Sequence, residues 1–172
     1  MQFLLLITLI ILFTMQCSPG EGNNHLKKGS PVVFTDEYEE VEDPPRDFQS
    51  KFSSIQEWLE AIVDSEQPEE DIEIFSFGIF ESANDYTMYL VGLQTQKKQD
   101  SSITRIGYKP QYMYYRLQKN EFENLDRDQV LSKIKGELKK FIDSEKFKSS
   151  FMGKGKSVRL EYAGEIWSNA TD

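Results

Sequence analysis

Residues 72–93 read IEIFSFGIFESANDYTMYLVGL, and this stretch decides the fold class. Ile72–Phe80 and Tyr86–Leu93 are rich in aromatic and β-branched residues, the composition of strands. Ser82, Ala83, Asn84 and Asp85 between them have the polar character of a hairpin loop. Working towards the C-terminus, Lys97–Ser101 is a polar turn and Ile103–Tyr108 a third strand. Beyond Pro110, Tyr112–Leu117 is either a fourth strand or the bent continuation of the third. Val158–Trp167 reads as a final strand, with Val158, Leu160 and Tyr162 on one face and Gly164 as a bulge.

Two helices frame these strands. Ile55, Trp58, Leu59, Ile62 and Val63 recur at helical spacing after Ser54-Ile55-Gln56-Glu57, which has the form of a capping box. This helix stops before Gln67-Pro68. The second opens at Asp126-Arg127-Asp128-Gln129, with acidic side chains against its N-terminal dipole. Its stripe is Val130, Leu131, Ile134, Leu138, Phe141 and Ile142, and Lys139, Lys140 and Lys146 lie towards its C-terminal end. Strands joined by tight loops pair antiparallel. The expected fold is therefore α+β, an antiparallel sheet of four or five strands with two helices on one face, in the order α-β-β-β(-β)-α-β.

The chain has 172 residues, a formal net charge of −9, one cysteine and one histidine. The cysteine is Cys17 and the histidine His25, both before the strands and helices, so Ser-His-Asp and Cys-His catalysis and the common zinc sites lack their residues in the domain. A lone Cys also excludes an intrachain disulfide. No phosphate-cradling glycine motif is present: Gly153-Lys154-Gly155-Lys156 follows a helix and precedes a strand, the reverse of a P-loop, and reads as a basic turn. No cofactor is implied. Carboxylates are plentiful. Glu161 and Glu165 share a strand and Glu73 and Glu81 flank another, so a carboxylate-based hydrolase stays open, although nothing marks two of them as a pair.

Binding offers more. Aromatic residues crowd the strands, and alternation sends about half to each face. If helices cover one face, several tyrosines lie on the other. They reflect either strand propensity or a binding surface, which favours Tyr for its apolar body and polar tip. Tyr112, Tyr114 and Arg116 fall on one face at strand spacing and form the candidate patch. Charge is uneven too: Phe52–Gln96 holds ten acids and no Lys or Arg, whereas Lys97 onward holds sixteen Lys and Arg against eleven acids. Glu57, Glu60 and Asp64 on the first helix are thus either solvated or a docking site for a basic protein, and the acidity disfavours nucleic acid.

At the N-terminus, Phe3–Met15 is an uncharged run of Leu, Ile and Phe, the length of a signal-peptide apolar region and short for a bilayer span. Cys17 follows, then polar residues. This resembles a bacterial lipoprotein signal, although the residue before the cysteine is Gln16 and no Lys or Arg precedes the apolar run. The resemblance implies cleavage before Cys17, a lipid carrying fatty acids (palmitate or similar) on its thiol, and a place in the cell envelope, periplasmic or outer-surface. A plain secretory signal and an uncleaved anchor are the alternatives. The expected organisation is 1–16 signal peptide, 17–50 acidic flexible linker, 51–168 domain and 169–172 tail. Val32-Val33-Phe34 within the linker is an apolar island that would add a strand or dock on the domain. Asp36–Asp43 lacks the spacing of a calcium loop, and no metal site is expected. In element order, size and acidity the domain is similar to small α+β immunity proteins of polymorphic-toxin systems, with no motif to carry individual residues across. The expected function is a membrane-tethered, non-enzymatic binding domain with a protein partner; the alternatives are toxin neutralisation and carboxylate hydrolysis.

Overall fold

The computed structural model describes residues 40–82, 85–98 and 101–169, and all of these fall within one compact unit. The expected signal peptide, Cys17, His25 and the Val32–Phe34 island lie outside the described residues. Among those described, no helix is long and apolar enough to cross a membrane.

The elements run α1 (Ile55–Ser65), β1 (Ile74–Glu81), β2 (Tyr86–Lys98), β3 (Ser101–Tyr108), β4 (Tyr114–Arg116), α2 (Lys119–Phe122), α3 (Arg127–Ile142), α4 (Glu145–Ser149), β5 (Ser157–Leu160) and β6 (Gly164–Ser168). The fold is α+β, as expected. The strands form one six-stranded sheet in the order β3-β2-β1-β5-β6, with β4 also on β2. β1 occupies one edge of β2 along Tyr86–Leu93. β3 and β4 therefore share the other, β4 against Thr87–Tyr89 and β3 against Gly92–Lys98. The fourth strand is in effect the third resumed after the corner at Pro110.

The sheet is mixed, which corrects the antiparallel expectation: β5 lies parallel to β1, Ile74 opposite Ser157 and Phe77 opposite Leu160. The cause is the crossover from β4 through α2, α3 and α4. A connection of that length carries the chain across to the end of the sheet where β4 began and delivers a parallel strand. The final strand is also two. Val158–Trp167 folds on itself as a β5–β6 hairpin, with Tyr162 at φ 62° and Gly164 at φ 77° in its tip. Tyr162 is consequently 77% exposed instead of aligned with Val158 and Leu160. The ring rests against the Arg127 guanidinium, 4.5 Å from its centroid.

One face of the sheet makes the core. Phe75 and Phe77 of β1, Met88 and Leu90 of β2, Tyr115 of β4 and Val158 and Leu160 of β5 point towards α1 and α3. Trp58 of α1 is fully buried at 0% exposure. Its ring stacks on Tyr115 (5.5 Å between centroids) and meets Phe77 edge-on (6.1 Å). Its indole N–H donates to the Tyr112 carbonyl at 2.6 Å, so the deepest aromatic is also polar-satisfied. All six stripe residues of α3 are buried. Its cap is reciprocal: the Gln129 amide donates to Asp126 (2.8 Å) and the Asp126 amide to the Gln129 side chain (3.0 Å). At α1 the box is displaced by one residue. Ser54 accepts from the Glu57 amide, but the Glu57 carboxylate accepts from the amide and hydroxyl of Ser53. Those bonds hold its carboxyl below the usual range. No buried side-chain nitrogen or oxygen among the described residues lacks a partner.

Candidate binding surface

Strand alternation sends Ser76, Gly78 and Phe80 of β1, Thr87, Tyr89 and Val91 of β2, and Tyr114 and Arg116 of β4 to the face away from the helices. The centre of that face is built by one cross-strand pair. Gly78 lies opposite Tyr89, and the Tyr89 ring fills the space a side chain would take: a Cβ on Gly78 would sit 2.1 Å from its Cζ. The Tyr89 hydroxyl donates to Glu161 at 2.6 Å. Burial, then that bond and the carboxylate's charge, push the Tyr89 phenol well above its usual range, so it is a donor at any ordinary pH. Phe80 packs beside it, ring centroids 5.0 Å apart, with Tyr114 at 6.4 Å on the other side.

Residues 40–50, which the sequence assigns to the linker, are fastened across this face. The Tyr114 hydroxyl donates to the Glu42 carbonyl (2.6 Å), and the Tyr114 ring meets Phe48 edge-on at 5.8 Å. Arg116 divides its guanidinium, one nitrogen donating to the Phe48 carbonyl (2.9 Å) and another to Asp85 (2.7 Å). The Phe48 amide donates to the Pro45 carbonyl, closing a turn at Arg46–Asp47. Burial and the charges of Glu42 and Asp43 raise the Tyr114 phenol. The crossing segment leaves space on both sides. A cavity of about 390 Å³ lies between Pro44, Arg46, Phe48, Phe80 and Arg116, and one of about 460 Å³ between Val41, Asp43, Phe80 and Tyr89. A third cavity, of about 250 Å³, opens at the β1–β2 hairpin end between Glu81, Asp85, Tyr86, Lys119, Phe122 and Glu123.

The residues singled out from sequence separate. Tyr114 and Arg116 share the outer face. Tyr112 does not: it lies in the turn before β4, its ring 5.4 Å from core residue Phe52 and capped by the Lys51 ammonium at 3.6 Å. The turn it occupies is organised by Glu66 at the end of α1. That carboxylate accepts from the Tyr108 hydroxyl (2.9 Å) and the Gln111 amide (3.0 Å), and with burial it pushes the Tyr108 phenol up. The acids of α1 all have partners within the chain. Glu57 caps the helix, Glu60 accepts from Gln56 (2.7 Å), and Asp64 pairs with Lys146, which lies on α4 and not at the end of α3.

The carboxylates weighed for hydrolysis are likewise dispersed. Glu73 pairs with Lys156, Glu161 takes the Tyr89 hydroxyl, Glu165 is exposed on β6, and Glu81 ends β1 with the Tyr86 hydroxyl at 3.5 Å. No three His, Cys, Asp or Glu side chains among the described residues are grouped to hold a metal ion. Phe48, Phe80 and Asp85 complete the surface without having been expected in it. The one usable sign was an aromatic residue, Phe48, closely following Pro44-Pro45 inside an otherwise polar stretch. In comparison with known proteins, no family model, no curated protein and no solved structure matches this chain.

Proposed function

We propose that the protein is an exported, membrane-tethered binding domain of a bacterial cell envelope, held by a lipid on Cys17 and engaging a protein partner without catalysis. The observation that carries this reading is the uncharged run Phe3–Met15 ending at Cys17, the only cysteine, followed at once by a polar stretch. The described domain is consistent with it. Its candidate carboxylates are dispersed, Glu73 on Lys156 and Glu161 on Tyr89, and its outer face carries the amphipathic aromatics and arginine that favour protein contacts. From Ser18 to Val41 the chain, even fully extended, reaches no further than about 80 Å, so the partner lies within that distance of the membrane.

Metabolic labelling with a palmitate analogue, combined with membrane fractionation, tests the reading. Label on the wild type that is lost in Cys17→Ala, together with release of the variant from the membrane, is the expected result. An unlabelled wild type recovered in the soluble exported fraction would replace the tether with a plain secretory signal.

A further inference from the structure

The outer face holds its own residues 42–48 in an unusual way. Every hydrogen bond that fastens them across the sheet is to main chain: Tyr114 to the Glu42 carbonyl and Arg116 to the Phe48 carbonyl. The only side chain of this segment with a ring contact on the face is Phe48. Glu42, Asp43, Arg46 and Asp47 between these points are exposed. Pro44-Pro45 stiffens the segment ahead of the Arg46–Asp47 turn, which lowers the ordering cost of docking. The face therefore engages two main-chain carbonyls and one aromatic ring on either side of a turn that follows a proline pair, and is indifferent to the exposed side chains between them. The cavities of about 390 and 460 Å³ on either side of the segment leave Phe80 half-buried and show that the fit is incomplete.

We propose that the face formed by Phe80, Tyr114 and Arg116 is a docking groove for a proline-containing, turn-forming peptide segment of a partner protein, and that residues 42–48 are its resident occupant, displaced when the partner binds. This rests on reading the domain as a binding module, and it does not depend on the lipid. A tethered occupant competes at an effective concentration of about millimolar, so the groove is largely closed to weak ligands until the strap is loosened.

The test uses the full chain and a fluorescein-labelled synthetic peptide of residues 41–50, followed by fluorescence anisotropy. Phe48→Ala weakens the strap without altering the groove, and Pro44→Gly/Pro45→Gly does so by a second route. Each variant is expected to bind the peptide at least 10-fold more tightly than the wild type. A peptide lacking the phenylalanine is expected to lose that gain, and Tyr114→Phe added to either variant to reduce it several-fold. Trypsin cleavage after Arg46 reports strap release in the same samples, and is expected to be faster in both variants than in the wild type. Rapid cleavage in both variants with no gain in peptide binding would overturn the groove. Cleavage after Arg46 as slow in the variants as at Arg105 within β3 would overturn displacement. Fatty-acid labelling is unaffected by either outcome, so failure here is distinct from failure of the tether.

Discussion

Gly78→Ala exposes how the outer face is built. A Cβ at this position would lie 2.1 Å from Cζ, 2.3 Å from the hydroxyl oxygen and 2.4 Å from Cε1 of Tyr89, more than 1 Å inside contact distance. The ring cannot simply rotate away: Tyr89 is 7% exposed, packed on Phe80 and bonded to Glu161. Overpacking of this kind costs about 1–3 kcal/mol. If the ring lifts, the bond to a charged acceptor is lost as well, about 1.5–3 kcal/mol. Reduced freedom of the unfolded chain returns about 0.4–1 kcal/mol. The expected net loss is about 2–4 kcal/mol, a drop in Tm of about 10 °C for a domain of this size. Urea denaturation followed by far-ultraviolet circular dichroism measures it, and a double-mutant cycle assigns it. In a Tyr89→Ala background the same substitution is expected to cost under about 0.5 kcal/mol, because the clashing ring is gone. An equal cost in both backgrounds, or a negligible cost in the wild type, would refute the reasoning.

Three further outcomes follow from local geometry. Trp58→Phe removes the donor to the Tyr112 carbonyl and leaves a void in the core, an expected loss of about 2–3 kcal/mol in urea denaturation; a loss under about 0.5 kcal/mol would contradict the bond's role. Glu73 is held below its usual range first by its bond to Lys156, then by Thr95 and the lysine's charge. A depressed carboxyl stabilises the fold fully above its unfolded value and loses that contribution as pH falls through the folded value, so Glu73→Gln is expected to flatten the acid limb below about pH 5 while costing under about 1 kcal/mol at pH 7. Gly136 lies inside α3, where an added Cβ would meet nothing within 4 Å outside the helix's own backbone, so Gly136→Ala is expected to stabilise by about 0.5–1 kcal/mol, read as a rise in Tm of a few degrees.

Both principal helices were legible because period and caps are local signals. The stripe from Val130 to Ile142 and the acidic opening at Asp126–Gln129 needed no knowledge of the sheet, although the reciprocal cap there emerged only in the structure. The β1–β2 hairpin was legible for the same reason. The parallel pairing of β1 with β5 was not, since nothing in Ile74–Phe77 or Ser157–Leu160 specifies which distant strand fills an open edge. Nor did alternation foresee the break at Tyr162, because a tyrosine at positive φ carries no turn signature and is held there by its neighbours. On the candidate surface, Tyr114 and Arg116 followed from strand spacing. The strap did not: its acceptors are the carbonyls of Glu42 and Phe48, and a main-chain acceptor leaves no mark on residue type.

The parallel β1–β5 pairing also sets the order in which the molecule can be finished. β1 is a central strand formed from the first half of the chain, yet one of its edges stays bare until residues 157–160 have been synthesised. The same C-terminal hairpin brings Trp167 edge-on to Phe147 at 5.0 Å, closing the end of the helical layer. Contacts so distant in sequence form late and slowly. A nascent chain therefore holds an unsealed sheet until its last residues arrive, which delays compaction during synthesis. For a protein exported as proposed, that delay leaves the chain longer in an unfolded form during its passage.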